Sequence, residues 1–250
     1  MRGFRNGFPE IILTAILYCF CPCLSEARDI SDTLCNERLL EYTEQVYGPD
    51  DFIIQGRLYK IRNREANGNP FFMNDAWNLA VIFSYGRQYR GIPIRYDIET
   101  DEIVMRVTHG PGTTNFVSSE YAAIDSFMFD GHMFVNLRKI NDSIGEEGYY
   151  EKIFHGKRWY LLKHEKQWVK NYNAINPHGA FSSQISTFSL INNNQLVSFS
   201  GRKSFLHYFN GQKKEIRNFM RQHHIHFRRA GKDDLIKLSR YVDKIAEVIK

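Results

Sequence analysis

Cysteine is scarce in this sequence. Only four of the 250 residues are cysteine, and three of them alternate with other residues in "CFCPC" at positions 19–23. The fourth, Cys35, stands alone in the rest of the chain, so no disulfide forms within residues 28–250. A domain of that length is long enough to be stabilised by a hydrophobic core without cross-links.

Long apolar runs are also missing. The longest, Ile11 to Leu24, is shorter than the roughly 20 residues that a membrane-spanning helix needs. Arg2 and Arg5 precede this run, and Ser25 and Ala27 place small residues before Arg28. A basic start, a short apolar stretch and a small-residue cleavage site are typical of a secretory signal peptide. The sequence therefore predicts a cleaved signal peptide at 1–27 and no transmembrane segment after cleavage.

The three alternating cysteines allow two other interpretations, a metal thiolate site or a disulfide-linked knot. Thiolates bind a soft metal where they converge in an accessible loop. These cysteines instead lie in the apolar leader, which favours their removal with the signal peptide. No cofactor is predicted for the remaining chain.

Local enzyme motifs are absent as well. The chain has no Gly-x-Ser-x-Gly, no His-Glu-x-x-His and no glycine loop of the kind that cradles phosphate. The isolated histidines, His132 and His164 among them, fall in turns or on polar strand faces and are predicted to lie at the surface. These absences favour a protein that is not an enzyme, although two catalytic side chains could still converge from distant strands.

The residues that are present predict an α+β fold. A helix is predicted at 31–47, followed by alternating polar and apolar residues over about 51–200. "DG" at 130–131, "FHGKRW" at 154–159 and "INNNQL" at 191–196 indicate hairpin turns. We predict a curved, mainly antiparallel β-meander, with an N-terminal helix and a C-terminal helical tail at 202–250 packed on it. Residues 28–250 then form a single β-rich domain.

Positive charge is concentrated near the C-terminus. Residues 202–250 carry thirteen Lys or Arg and five Asp or Glu, a local charge of +8 in a chain whose net charge is +5. This segment could bind an anionic surface, namely lipid headgroups, an acidic polysaccharide or an acidic protein, or it could simply be a solvated helix face. Nucleic acid binding is not expected, because no recognition motif accompanies the charge.

Histidine provides one weak candidate for a metal site. In "HHIH" the ligand candidates are His224 and His226, which would point to the same side of an extended chain. The spacing differs from the i and i+4 pair that binds zinc on a helix, so no functional metal site is predicted.

Aromatic residues are abundant on the predicted strands. If the sheet leaves a concave apolar surface open, these side chains would line a ligand site; ordinary core packing is the alternative. The candidate ligand-binding residues are Phe83, Tyr85, Tyr96, Phe127, Phe129, Trp159 and Tyr160.

Several segments together resemble a family of uncharacterised exported proteins of Bacteroidetes-type bacteria. They are "YRGIPIRYDIETDEIV", "EEGYYEKIFHGKRWYLLKHEK" and the tail from "GRKSFLHYF" to "DDLIKLSRYVDKI". The resemblance implies export and a β-sheet followed by a basic helical tail. It implies no activity and no site residues.

Taken together, the sequence favours an exported, non-enzymatic binding or interaction module of the cell envelope, in the periplasm or outside the cell. Its predicted partner is an apolar small molecule or an envelope protein. One alternative is a hydrolase of an envelope polymer, which requires two carboxylates, or a histidine and a carboxylate, to converge in a cleft. Another is a structural subunit that docks through its basic tail.

Overall fold

One antiparallel sheet organises the chain. The computed structural model describes residues 56–109, 113–119 and 123–246, which all fall in one compact unit, Pro49–Lys250. The strands are β1 (Gly56–Leu58), β2 (Asn78–Ser84), β3 (Arg87–Asp97), β4 (Glu102–His109), β5 (Thr113–Ser119), β6 (Ser126–Phe129), β7 (His132–Asn136), β8 (Tyr149–His155), β9 (Trp159–Glu165), β10 (Trp168–Val169), β11 (Ala180–Phe181), β12 (Ile185–Asn192) and β13 (Gln195–Phe199).

Eleven of these strands form the main sheet, in the order β1-β5-β4-β3-β2-β6-β7-β8-β9-β12-β13. Strands β10 and β11 pair with each other in a separate two-stranded ribbon. Every pairing between named strands is antiparallel. Most neighbours are consecutive in sequence, which is the pattern that successive hairpins produce.

Tight turns set the register of these hairpins. Asp130 and Gly131 have φ values of +47° and +74°, and Asn193 and Asn194 have +47° and +61°. Two successive positive φ values match the right-handed twist of the flanking strands, and Asp, Asn and Gly adopt them most readily. The hairpins predicted at 130–131, 154–159 and 191–196 are therefore confirmed.

Four α-helices complete the described part of the chain: α1 (Leu137–Ile140), α2 (Arg202–Tyr208), α3 (Lys213–Gln222) and α4 (Lys232–Ile245). Single 3₁₀ turns lie at Asp142–Ile144 and Asn210–Gln212. Helix α4 starts with Asp233 and Asp234 in its first turn and has Lys244 in its last, which complements the helix dipole. Its buried residues include Leu235, Leu238 and Val242.

Two hydrophobic cores lie on the same face of the sheet. The first, around Phe127 and Phe134, also contains Phe72 from the segment before β2. The second packs β9, β12 and β13 against α2, α3 and α4. A third, smaller cluster around Val135 and Leu161 lies on the opposite face, where α1 contributes Leu137.

The predicted α+β fold with a mainly antiparallel sheet is confirmed. The predicted N-terminal helix at 31–47, the predicted signal peptide at 1–27 and Cys35 lie outside the described residues, as do residues 247–250 of the predicted tail. Among the helices that the structure describes, none has the length and apolar character required to cross a bilayer.

Candidate functional site

A single charged residue interrupts an apolar row that crosses the sheet. Cross-strand pairing aligns seven residues on neighbouring strands: Ile82, Phe127, Phe134, Glu151, Leu162, Phe188 and Phe199. The first three belong to the first core and the last three to the second. Glu151 therefore lies at the boundary between the two cores, where its side chain is only 2% exposed.

Three basic groups surround the Glu151 carboxylate. His132 Nδ1 lies 2.8 Å from Oε1, and His164 Nε2 lies 2.8 Å from Oε2. Lys232, the first residue of α4, places Nζ 2.9 Å from Oε1 and also donates to the carbonyl oxygen of Gly131 at 2.7 Å. Alternation along β7, β8 and β9 directs both histidines and Glu151 to one face of the sheet.

These contacts keep Glu151 ionised. Burial alone would raise the pKa of its carboxyl group, but the hydrogen bonds and charge interactions with His164 and Lys232 together outweigh burial and lower the pKa to about 2. A buried carboxylate is stabilised when cationic or N–H donors satisfy its oxygens. An ionised Glu151 only accepts hydrogen bonds, so His164 Nε2 carries the proton and donates it to this carboxylate.

The other ring nitrogen of His164 faces a serine. Ser186 on β12 is the cross-strand partner of His164 on β9, and its Oγ lies 2.8 Å from His164 Nδ1. When the imidazole is neutral with its proton on Nε2, Nδ1 accepts the hydrogen bond from the Ser186 hydroxyl. Ser186 is exposed to solvent, whereas the His164 side chain is only 5% exposed.

Gln184 supplies a further donor at the same position. Its Oε1 accepts the backbone N–H of Met73 at 3.1 Å, which turns the amide nitrogen towards the site. Gln184 Nε2 then lies 3.2 Å from His164 Nδ1. This contact also favours the unprotonated state of Nδ1, because an N–H group there would oppose the amide donor.

An aromatic ring covers the two histidines. The Phe72 ring is centred 4.9 Å from the His164 ring and 5.1 Å from the His132 ring. Phe72 is itself buried in the first core. The ring shields the hydrogen bonds of His164 from water while the hydroxyl of Ser186 stays accessible, and a low local dielectric strengthens those hydrogen bonds.

The serine, histidine and glutamate together match the roles of a catalytic triad. An exposed hydroxyl is hydrogen-bonded to an imidazole, and a buried carboxylate fixes the tautomer of that imidazole. The order of the ring nitrogens is the reverse of that in the serine-protease arrangement, in which Nε2 faces the serine. Either nitrogen is able to accept a proton, so the arrangement is chemically competent for general base catalysis.

The structure does not bring the predicted aromatic residues to one surface. Tyr96, Phe127 and Phe129 are buried in the first core, with ring centroids 5.3 Å apart for Tyr96 and Phe127 and 6.1 Å apart for the two phenylalanines. Tyr160 is buried in the second core. These four side chains are thus packed against their neighbours.

The other three aromatic candidates lie nearer to solvent. Phe83 and Trp159 are partly buried on strands β2 and β9. Alternation points both side chains to the face opposite the buried Ile82 and Tyr160. Tyr85 lies not on β2 but in the turn that follows it, with φ +46°, and is 57% exposed.

The two histidine candidates for a metal lie far from Glu151 in sequence and outside the sheet. His224 and His226 are exposed in the turn after α3, and His224 has a positive φ of 54°. Across the described residues, no cluster of three or more His, Cys, Asp or Glu side chains is arranged to hold a metal ion. Next to Glu151, the positively charged ammonium group of Lys232 would repel a metal cation.

Sequence reasoning missed every member of this site. The prediction that His164 lies at the surface is wrong, because cross-strand pairing turns it towards the interior. One signal was present: in "YYEKIF" the alternation places Glu151 on the same face as Tyr149 and Ile153, so a charged residue occupies a core position.

No known protein family, curated protein or solved structure matches this chain.

Proposed function

We propose that this protein is an exported hydrolase that cleaves acyl esters, with Ser186 as nucleophile. The observation that carries the proposal is the continuous hydrogen-bonded relay Ser186–His164–Glu151, with 2.8 Å at each step. A histidine converging with a carboxylate is the arrangement that a hydrolase of an envelope polymer requires. Export is proposed from the signal-peptide pattern at 1–27.

In the first step, Ser186 Oγ attacks the carbonyl carbon of the ester. Its proton passes to His164 Nδ1, and Glu151 stabilises the resulting imidazolium. The proton then moves to the alkoxide oxygen as the carbon–oxygen bond breaks, so an alcohol leaves and an acyl-serine remains. Water attacks the acyl group in the second step, with His164 Nδ1 again accepting and returning the proton, and the products are a carboxylic acid and free Ser186.

Gln184 is the residue placed to stabilise the oxyanion of the tetrahedral intermediate. Its amide is fixed by the Met73 N–H, so the donor requires no reorientation when charge develops. The amide nitrogen lies beside His164 Nδ1, the same atom that Ser186 contacts. A carbonyl group bound to Ser186 would therefore come within reach of this donor.

The test is labelling with a fluorophosphonate probe, which forms a bond from an activated serine oxygen to phosphorus and releases fluoride. We expect labelling of the purified protein at the peptide that contains Ser186, and loss of labelling in Ser186→Ala and His164→Ala. Hydrolysis of p-nitrophenyl acetate should fall at least ~100-fold in both variants, as expected when a general base or its nucleophile is removed.

The matched control is Ser183→Ala, which alters another exposed serine three positions away in the same segment. It should label and hydrolyse as the wild type does. Circular dichroism melting of each variant separates lost chemistry from lost folding. Equal labelling of Ser186→Ala and wild type, or no labelling of folded wild type, would contradict the proposal.

A binding module remains a second candidate, favoured by exposed apolar side chains on the other face of the sheet. Leu79 on β2 and Met128 on β6 are exposed there. Phe83, four residues after Leu79 on β2, lies on the same face of the sheet. A protein that binds through this face would lose its partner in Leu79→Ser and Met128→Ser. A pull-down from native envelope extract with those variants tests this function independently of Ser186.

A further inference from the structure

A groove lies next to the ribbon that extends from strands β9 and β12. It has a volume of about 570 Å³. One wall is the segment that contains Arg62, Arg64 and Glu65, and the other carries Trp168, Tyr172 and His178. None of these residues belongs to the proposed catalytic relay.

The walls of this groove are fixed to each other by hydrogen bonds. Asn67 follows the first wall in the chain. Its backbone carbonyl oxygen accepts a hydrogen bond from the backbone N–H of Phe181 at 2.8 Å, and its backbone N–H donates to the carbonyl oxygen of Gly179 at 3.1 Å. Its side-chain amide also donates to the carbonyl oxygen of Ile175 at 2.8 Å. His178 Nδ1 lies 3.2 Å from Glu65 Oε2 and closes the contact between the walls. The groove is thus preformed rather than assembled around a ligand.

Flat apolar surface and positive charge occur together in the groove. The Trp168 indole is held in place because its Nε1 donates to the carbonyl oxygen of His178 at 3.2 Å, and Tyr172 is exposed nearby. The apolar C–H face of a sugar ring packs well on such aromatic faces. The Lys170 ammonium lies 5.6 Å from the Trp168 ring centroid, although Lys170 itself does not line the groove.

The exposed guanidinium groups of Arg62 and Arg64 supply paired donors for carboxylate or sulfate oxygens. Glu65 pairs with His178, and Glu99 interacts with Arg62, so these carboxylates offset part of the positive charge. Arg64 adds to that charge. The combination fits a ligand with sugar rings and acidic groups.

The groove is also close to the proposed nucleophile along the chain. Trp168 follows His164 by four residues on the same extended segment, a distance of about 13 Å at the rise of a β-strand. Ser182 and Gln167 are hydrogen-bonded across the ribbon, which continues the pairing of His164 with Ser186. A polymer that extends from the groove along this ribbon would run towards Ser186.

We infer that the groove binds an anionic polysaccharide and presents its acyl ester groups to Ser186. This inference rests on the proposed hydrolase function and adds the substrate class to it. Aromatic stacking selects the sugar ring, and the arginines select the acidic substituent.

The test measures binding of hexagalacturonate to the full chain by isothermal titration calorimetry, with maltohexaose as the neutral oligosaccharide. We expect the acidic oligosaccharide to bind, the neutral one to bind at least tenfold more weakly, and the double variant Arg62→Ala/Arg64→Ala to lose about tenfold or more in affinity for the acidic one.

The matched control is Arg217→Ala/Arg221→Ala, which removes two exposed arginines from the basic helix α3. It should bind hexagalacturonate within twofold of wild type. A loss of affinity in this control with none in the groove variant would assign binding to the C-terminal basic face and overturn the inference. Absence of binding to the wild type, equal binding of maltohexaose, or tighter binding of a single-stranded DNA hexamer would also overturn it. If the fluorophosphonate fails to label Ser186 but the groove variant loses affinity, the proposed hydrolase function fails and the binding site stands.

Discussion

The guanidinium Nη1 of Arg158 lies 3.8 Å from Oδ1 of Asp243, and both side chains are largely buried. The two residues are 85 positions apart, Arg158 in the β8–β9 turn and Asp243 near the end of α4. Asp243 also accepts the backbone N–H groups of Lys157 at 2.8 Å and Arg158 at 3.2 Å. Helix α4 is therefore attached to the sheet at both ends, because Lys232 at its start contacts Glu151.

The first prediction concerns this attachment. Asp243→Asn removes the charge that compensates buried Arg158, and loss of one partner from a buried ion pair costs about 3–5 kcal/mol. We expect the free energy of unfolding in urea to fall by about that amount. Asp233→Asn, at an exposed position in the first turn of the same helix, should cost at most about 1 kcal/mol through the helix dipole. Equal costs for the two variants would show that the contact contributes little.

The second prediction concerns Glu151. Replacing it by Gln leaves His132, His164 and Lys232 without their shared anion, so we expect a loss of about 3 kcal/mol in the free energy of unfolding. Glu147→Gln, four residues earlier and 64% exposed, should change it by less than about 0.5 kcal/mol. Denaturant unfolding of both variants checks this difference. If Glu151→Gln is as stable as wild type, the carboxylate is not the centre of the cluster.

The third prediction is a dependence of stability on pH. The pKa of Glu151 is lowered from 4.5 to about 2 in the folded protein. A lowered pKa stabilises the fold at pH values above 4.5, and this stabilisation is lost as pH falls from there towards 2. We expect wild type to lose about 2 kcal/mol between pH 5 and pH 3 through this residue alone.

Glu151→Gln isolates that contribution, since the other carboxyl groups titrate in both proteins. The unfolding free energies of wild type and variant should therefore converge as pH falls from 5 to 3. A constant difference over this range would mean that Glu151 does not titrate as its surroundings indicate.

The sheet was predictable because its signals are local. Asp130 with Gly131, and Asn193 with Asn194, adopt the backbone angles that their residue types favour in hairpin turns. Tyr85 continues the alternation of β2, which predicts a position on the strand, yet it takes a positive φ beside Gly86 and forms the turn. The two-residue turn decided that position, because Ser84 pairs with Arg87 and leaves Tyr85 and Gly86 to connect the strands.

The site was much less predictable, because it depends on register between strands that are distant in sequence. Ser186 meets His164 only through the pairing of β12 with β9, and Glu151 reaches His164 only through β8 and β9. The pairing of β12 with β9 leaves no motif in the local sequence. The turn at 154–159 indicates the β8–β9 hairpin but not its register, which shifts between Lys152 and Phe154. The position of Glu151 on an apolar strand face was the one available sign, and a charge at such a position requires a partner.

The fourth prediction addresses the proposed oxyanion donor. Gln184→Ala should lower kcat for p-nitrophenyl acetate by about 10²- to 10³-fold, the cost of removing one oxyanion-hole donor. KM should change little, because the donor acts on charge that develops in the transition state. Gln195→Ala, at an exposed position on β13, serves as control and should keep both constants. A rise in KM with unchanged kcat would make Gln184 a substrate-binding residue instead.

The fifth prediction separates core packing from ligand binding for the aromatic side chains. Phe127 is fully buried, and its ring contacts Phe134 at a centroid distance of 4.9 Å, so Phe127→Ala should cost about 3–5 kcal/mol of unfolding free energy. Exposed Tyr85, whose ring is 4.9 Å from the Lys139 ammonium, should cost less than about 1 kcal/mol as Tyr85→Ala. Thermal and urea unfolding measure both. Deleting a packed ring leaves a cavity that the surrounding strands fill only in part, which is why a large loss is expected. A small loss of unfolding free energy in Phe127→Ala would mean that the ring is not needed to fill the core, and would favour a ligand-binding role for it.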